Sequence, residues 1–559
     1  MVSLKINNKS VVAEEGATIL EAAASIGVKI PTLCYLKDIC EVGACRVCMV
    51  EIDGDLRLSA ACNTKIEDGM SVNTNSRRAR EARRVNVGLI MSDHNNNCLS
   101  CSRGGNCSLQ SLAEDLNIPE PPYPKKYSQN KWPHDYPLIR DDSRCIKCMR
   151  CIKVCDIVQS IGVWDAQNSA SRLTIGVTGG EPIEESACVL CGQCVAHCPV
   201  GALHSRDDGE KVIDALLDPD TTVVVQIAPA VRSAWGEGLG LDRDEATVGR
   251  MTSAVRALGA DYVFDTNFAA DLTIMEESSE LLHRLSEKEK HSRPMFTSCC
   301  PGWVSFLKKQ YPELIPNLST AKSPQQMFGA VTKTWFAKRS GLDPEKIFCL
   351  SLMPCMAKKN ERTLNGDVDA VITSREFERI LRAFYVNVKE LKEESFDELL
   401  GDGTGAAMIF GVTGGVMEAA LRSSYFLAAG KNPDPDAFAA VRGIGVREIT
   451  ADIGGTAVRA AVTSGLANAR ELIEKIKRGE AEYDFVEIMA CPGGCVCGGG
   501  QPITAGLEFA SERAPVLYRL DKNSDMRFSH ENPSVAKAYE ELFEKPLSHK
   551  SHELLHTKH

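Results

Sequence analysis

Apolar and polar residues alternate at the start of the chain. Val2-Ser-Leu-Lys-Ile6 and Val11-Val-Ala13 have the period of two expected of half-buried strands, and a helix is predicted near Thr18–Ile26. These elements predict a small α+β unit over residues 1–78. Residues 76–93 read as a basic helix carrying Arg77, Arg78, Arg80, Arg83 and Arg84. Pro119, Pro121, Pro122, Pro124, Pro133 and Pro137 then predict a rigid, helix-breaking connector. Beyond residue 210 or so the texture changes. Apolar strands such as Thr222-Val-Val-Val-Gln-Ile227 alternate with amphipathic helices, the pattern of an α/β domain of about 350 residues.

Composition narrows the class. A chain of 559 residues, 43% hydrophobic and 25% charged, has material for several cores, roughly three to five domains. It contains no apolar run long enough to span a membrane. The start, Met1-Val2-Ser3-Leu4-Lys5, leads into polar residues, so no secretory signal is expected. A net charge of −11 argues against nucleic acid as the main partner. The outlier is 23 cysteines. Tight clusters of cysteine in a long chain without a secretory signal point to metal sites in a cytoplasmic protein rather than to disulfides.

Two runs repeat one rhythm: Cys145-x2-Cys148-x2-Cys151-x3-Cys155 and Cys188-x2-Cys191-x2-Cys194-x3-Cys198-Pro199. This is bacterial ferredoxin spacing, in which the fourth cysteine of each run ligates the other run's 4Fe–4S cubane. It predicts one cubane on Cys145, Cys148, Cys151 and Cys198, and another on Cys188, Cys191, Cys194 and Cys155. Cys34-x10-Cys45-x2-Cys48-x13-Cys62 is similar to a plant-type 2Fe–2S ligand set with a longer first loop. Cys40 falls off that pattern and reads as an ordinary small thiol. In His94-x3-Cys98-x2-Cys101-x5-Cys107, spacing alone leaves open whether His94 is a ligand or a loop histidine. A neutral imidazole in place of a thiolate would raise the potential of a cluster there.

Three motifs lie further on: Thr297-Ser-Cys-Cys-Pro-Gly-Trp303, Met353-Pro-Cys-Met-Ala-Lys-Lys-Asn-Glu361 and Glu487-Ile-Met-Ala-Cys-Pro-Gly-Gly-Cys-Val-Cys-Gly-Gly-Gly-Gln-Pro502. Together they resemble the signature motifs of the iron–iron (FeFe) hydrogenases, whose active site is the H-cluster. The resemblance extends over essentially the whole chain. The first 205 or so residues are also similar to the large iron–sulfur subunit of respiratory complex I, and only the later motifs decide between the two. The fold implied is multidomain α+β and α/β. It comprises a β-grasp 2Fe–2S domain over 1–78, a small His/Cys3 4Fe–4S domain over 79–138, a two-cluster ferredoxin-like domain over 139–209 and a large α/β H-cluster domain over 210–559.

The resemblance also implies roles. Cys300, Cys355, Cys491 and Cys495 would ligate the H-cluster cubane, with Cys495 bridging to a di-iron subsite that carries CO, cyanide and a dithiolate amine. His94 would complete the set with Cys98, Cys101 and Cys107. Lys358 would donate to a cyanide, and Met353, Pro354, Met489, Ala228 and Pro229 would wall the pocket. Some family members have serine where Ala230 stands, so one hydrogen bond to cyanide would be missing here. Cys497 and Cys349 would be structural. Cys299 would hand protons to the bridging amine along a relay of Glu277, Ser319, Glu280 and Arg284. Glu277, Glu280 and Arg284 share one face of a predicted amphipathic helix. Without the motif context, Glu280–Arg284 would read as a surface pair worth little. Sensory members of the family lack the relay cysteine, so Cys299 favours turnover.

Other features carry less. The arginines at 77–84 could dock an acidic carrier but read better as a solvated face. His549, His552, His556 and His559 read as packing or surface groups around a C-terminal helix. Gly414-Gly415 reads as a tight turn. No dinucleotide or Walker pattern is present, so the chain is not expected to bind NAD itself. The function expected is 2H⁺ + 2e⁻ ⇌ H₂, with electrons relayed through one 2Fe–2S and three 4Fe–4S clusters. The alternative is a non-catalytic electron-transfer or H₂-sensing subunit. Expected partners are maturation proteins and either ferredoxin or NAD(P)H–flavin diaphorase subunits. Pro492 is similar to members from NAD-linked complexes.

Overall fold

Two compact units emerge in the computed structural model, which describes residues 1–120, 123–125, 127, 131–286, 293–364, 366–401, 403–503 and 510–559. Unit 1 holds residues 1–186, 193–204 and part of 503–505; unit 2 holds the rest. Of the predicted proline connector, Pro121 and Pro122 lie outside the described residues.

In unit 1 the predicted strands form. Val2–Ile6 and Lys9–Ala13 pair antiparallel across Asn7 and Asn8, whose φ values are 51° and 65°. Asparagine tolerates that left-handed turn better than most residues. The sheet runs Lys9–Ala13, Val2–Ile6, Ser71–Asn73, Met49–Ile52, Ser59–Ala60. The first helix is Ile19–Ser25, started by a reciprocal capping box between Thr18 and Glu21. It buries Ile19, Ala22 and Ala23 against Leu4, Ile6, Val11, Val50 and Val72.

The basic helix is Arg77–Ser92, capped by the Ser76 hydroxyl. Its arginines are exposed, as a solvated face would be, with the exception of Arg83. Arg83 is buried and donates to the carbonyls of Met49 and Thr74, at 2.8 and 2.6 Å, while Arg78 pairs with Glu51 at 2.7 Å. Arg80 and Arg84 are exposed as well, and exposed Arg77 pairs with Glu81 one turn away.

Unit 2 is built on two four-stranded sheets. In one, Tyr262–Asp265, Thr222–Ile227, Ile347–Met353 and Ala370–Thr373 are parallel throughout. Their nearly continuous apolar sequences suit burial on both faces. In the other, Met295–Phe296, Phe485–Met489 and Thr456–Ser464 are parallel, and Arg447–Ile453 closes an antiparallel hairpin through Gly454 and Gly455. Helix Thr266–Ser286 corrects the amphipathic expectation: it is buried nearly all round its first four turns, including Glu276, Glu277 and Glu280. A helix enclosed on every side belongs to the interior of a domain. No helix among the described residues is long and apolar enough to cross a membrane.

Candidate active site and cluster sites

Ligand sites in parallel sheets form beyond the carboxyl ends of strands, and unit 2 follows that rule. Thr222–Ile227 runs into Ala228-Pro229, Met295–Phe296 into Cys299-Cys300, Ile347–Met353 into Pro354-Cys355, and Phe485–Met489 into Cys491 and Cys495. A cavity of about 80 Å³ lies there. Its lining includes Cys299, Cys300, Cys355, Cys495, Lys358, Met353, Pro354, Met489, Ala228, Pro229 and Ala230. Cys491 is buried next to this group and feels the charge of Cys355, Cys300 and Cys495. The glycine before Cys495 has a local reason: Gly494 has φ 94°, and a Cβ there would lie 2.7 Å from the Thr413 nitrogen.

The donor set fits an iron–sulfur cubane. Burial, then the neighbouring Cys300 thiol, pushes Cys355 up to about 11. Burial and the other thiols push Cys491 and Cys495 well above the usual range. Thiols so reluctant to ionise singly are readily ionised by metal, which deprotonates a coordinating thiol outright.

Lys358 has a protein partner within the motif itself. Its ammonium donates to Glu361 at 2.8 Å and to the Cys299 carbonyl at 3.2 Å. Burial opposes its charge, but Glu361 outweighs that and holds its pKa above the ordinary lysine value. Ser323 and Gln325 donate to the same Glu361 oxygen, at 2.8 and 3.0 Å. Sequence reasoning missed Glu361, although its i, i+3 spacing from Lys358 was a usable signal.

The relay residues are brought together. The Ser298 amide donates to Glu277 at 3.4 Å, and the Ser319 hydroxyl donates to Glu280 at 2.8 Å. Arg284 meets Glu280 at 2.5 Å and the Leu318 carbonyl at 2.8 Å. This pair is buried rather than a surface pair. Burial, and then the charge of Glu280, pushes Glu277 up to about 8. Burial, and then Glu277, pushes Cys299 well above the ordinary thiol range. Both therefore carry their protons near neutral pH.

Of the C-terminal histidines, His549 and His552 are exposed, and His556 and His559 are packed. His556 is buried, bonding Glu276 at 3.0 Å and the Thr320 hydroxyl at 2.8 Å, and the Thr320 amide donates to Glu280 at 3.1 Å. His559 donates to the Ser319 carbonyl at 2.8 Å.

In unit 1, Cys34, Cys45, Cys48 and Cys62 converge in two pairs. A hydrogen bond from Cys34 pulls Cys45 below the ordinary thiol range, and one from Cys62 does the same to Cys48. Two irons taking two thiolates each call for such a grouping. Cys40 is buried, its thiol towards the Cys148 carbonyl at 3.7 Å. His94 is buried, with Nδ1 bonded to the Arg144 carbonyl at 2.9 Å. With Nδ1 donating to that carbonyl, Nε2 is the nitrogen available to a ligand. His94, Cys98 and Cys107 line one cavity, and Cys145, Cys148, Cys151 and Cys198 line another. Of the remaining set, Cys155 and Cys194 belong to unit 1, Cys188 and Cys191 to unit 2. Within unit 2 the Cys491 thiol approaches the Cys191 carbonyl at 3.7 Å.

Family models match along the chain in the same order. They are a 2Fe-2S iron-sulfur cluster binding domain at 1–77, the NADH-ubiquinone oxidoreductase-G iron-sulfur binding region at 83–122 and a 4Fe-4S dicluster domain at 144–202. The C-terminal domain of the iron only hydrogenase large subunit follows at 221–499, and the iron hydrogenase small subunit at 507–559. The NADP-reducing hydrogenase subunit HndD of Solidesulfovibrio fructosivorans is 45% identical over 100% of this chain and 98% of its own. Iron hydrogenase 1 of Clostridium pasteurianum is 37% identical over the full length of both. A solved structure of a variant of [FeFe]-hydrogenase HydA1 from Chlamydomonas reinhardtii superposes with a TM-score of 0.57 at 41% identity, covering 63% of this chain and 98% of that one.

Proposed function

The chain belongs to the iron-only [FeFe] hydrogenases, carrying 2Fe–2S and 4Fe–4S clusters and interconverting protons, electrons and H₂, and from that premise we propose how its residues divide the work. Cys34, Cys45, Cys48 and Cys62 hold a 2Fe–2S cluster; His94, Cys98, Cys101 and Cys107 hold a 4Fe–4S cluster. The two ferredoxin runs hold two more cubanes, and Cys300, Cys355, Cys491 and Cys495 hold that of the H-cluster. The domain limits proposed are 1–78, 79–138, 139–209 and 210–559, supported by the spans of the family matches.

The observation that carries this reading is the apolar cavity shared by Cys299, Cys300, Cys355, Cys495 and Lys358. When bound, the H-cluster supplies a di-iron site with CO, cyanide and a dithiolate amine, at which the H–H bond is made or broken. The residues do the rest. Met353, Met489, Ala228 and Pro229 exclude water. Lys358, kept charged by Glu361, presents an ammonium suited to a cyanide. Cys299 holds the proton at its sulfur, and Glu277, Ser319, Glu280 and Arg284 lead from it towards solvent. Protonated Glu277 is the donor poised to reload Cys299.

The electron partner proposed is a set of NAD(P)H–flavin subunits in the cytoplasm rather than ferredoxin. Support comes from the name of the HndD relative and from the oxidoreductase-G region at 83–122. The di-iron subsite also calls for dedicated maturation proteins. The test is H₂ evolution from chemically reduced chain produced with and without maturation proteins. The matured chain should hold about 20 irons, show CO and cyanide infrared bands and evolve H₂; the unmatured chain should evolve none. Activity in unmatured material would sink the H-cluster assignment.

A further inference from the structure

Four arginines are buried in unit 1 around the His94 and Cys145 ligand sets: Arg103, Arg140, Arg144 and Arg150. Two have carboxylates. Arg140 meets Asp142 at 2.5 Å, and Arg144 meets Asp141 at 2.8 Å. The other two have none in ion-pair range among the described residues. Arg103 donates to the carbonyls of Asn106 and Cys198, at 2.6 and 3.3 Å. Arg150 donates to those of Tyr35 and His197, at 2.9 and 3.5 Å. A guanidinium keeps its proton even when buried, and a buried charge without a counter-charge is costly. Something anionic has to stand beside each.

The position of Arg103 indicates what that is. Its amide reaches the Cys101 sulfur at 3.5 Å, and its side chain reaches Cys198. The Ser108 amide donates to the Pro199 carbonyl at 3.1 Å, and the Cys107 thiol approaches the same oxygen at 3.9 Å. Gly201 packs so closely that a Cβ there would lie 2.4 Å from the Cys101 sulfur. The last-ligand loops of the His94 set and of the Cys145 set therefore share one wall, and Arg103 stands in it. Burial and Arg150 disfavour the Arg103 charge, and the sulfurs of Cys198, Cys107 and Cys101, proposed ligands of both sets, favour it.

We propose that Arg103 is the shared counter-charge of these two clusters, holding both at higher reduction potential than their ligands alone would give, with Arg150 adding to the effect at the Cys145-set cubane. This rests on the ligand sets proposed above. Each electron accepted makes a cluster more anionic by one charge, so a fixed buried cation favours the reduced form. A lysine neutralised by its own carboxylate, as Lys358 is by Glu361, would do far less. Arginine also cannot release a proton as the cluster cycles, so the bias is the same in both redox states.

The experiment is an EPR-monitored redox titration of the full chain with its clusters loaded. Arg103→Gln should move both midpoint potentials negative by about tenfold in the one-electron equilibrium constant, ~59 mV, and leave the 2Fe–2S midpoint in place. Arg150→Gln should move only the Cys145-set cubane, and Arg103→Lys should stay near wild type. Unchanged midpoints in Arg103→Gln at full iron content overturn the proposal, as does an equal shift in Arg103→Lys. Should both Arg103→Gln and Arg103→Met lose iron while Arg103→Lys keeps it, the charge serves assembly and the proposal also falls. Failure of the ligand sets themselves shows separately, as His94→Ala and Cys198→Ser spectra identical to wild type.

Discussion

The proposed proton relay of unit 2 and the proposed cluster sites of unit 1 bury charge in opposite ways. Around Cys299 the buried groups are carboxylic acids. Burial foremost holds Glu277 up at about 8 and Glu487 at about 7, so their charge is negotiable near neutral pH. Around the His94 and Cys145 sets the buried groups are arginines, whose charge is not negotiable. A proton relay needs groups that change charge state; an electron relay is served by groups that never do. Lys358 sits at the boundary of the two cases: a titratable cation in the catalytic cavity, made permanent by Glu361.

The largest expected effect breaks the proton side alone. Cys299→Ser replaces a thiol with an alcohol much harder to deprotonate, and every ligand stays. Turnover should fall by ~10²–10⁴ with the infrared bands of the active site retained. Cys300→Ser should lose the cubane instead. Near-wild-type rates in Cys299→Ser would mean that protons arrive by another path.

Next in size is the boundary case. Glu361→Gln leaves a buried ammonium without its carboxylate, a loss of about 3–5 kcal/mol by analogy with other broken buried pairs. Chemical denaturation of the apoprotein measures it, and a change under 1 kcal/mol on that scale would show that Lys358 is not held charged by Glu361.

The pH dependence sharpens the comparison further. Glu277 is raised from 4.5 to about 8, so the folded chain binds more protons than the unfolded one across that window. Its contribution to stability is complete below the unfolded pKa and is lost as pH rises through about 8. H₂ evolution that draws on protonated Glu277 should decline over the same upper limit. Glu277→Gln should remove that Glu277-linked pH dependence of stability while lowering turnover. An unchanged melting-temperature profile against pH would place the titration elsewhere.

The smallest effect concerns the frame around the relay. His556→Ala leaves Glu276 and the Thr320 hydroxyl each short of one partner, costing about 1–3 kcal/mol. His556→Gln should recover part of it in the same denaturation assay.

What could be read in advance follows from how local each constraint is. Cluster ligands are spaced by the geometry of the metal they grip, so the proposed ligands Cys145 to Cys155 and Cys188 to Cys198 stand out in the sequence. The strand Thr222–Ile227 and the caps Thr18 and Ser76 are set by neighbours a few residues away. Arg103 beside Cys198, and His556 between Glu276 and Thr320, are meetings of distant segments with no periodicity to betray them. The burial of helix Thr266–Ser286 was hidden for a related reason: its polar side chains find partners far along the chain, as Asp271 does in Thr404 and Asn532.

The strand order of unit 2 has a consequence in time. Thr222–Ile227 lies between Tyr262–Asp265 and Ile347–Met353, so the first sheet forms only when segments more than a hundred residues apart have met. Parallel pairings of that span are slow to form. Throughout that delay, 23 cysteines are carried by a chain not yet able to hide them. Thiols exchange with any disulfide already present, so air during renaturation should trap scrambled cross-links before the strands have paired. Recovery from denaturant should therefore depend more on the reducing agent than on protein dilution.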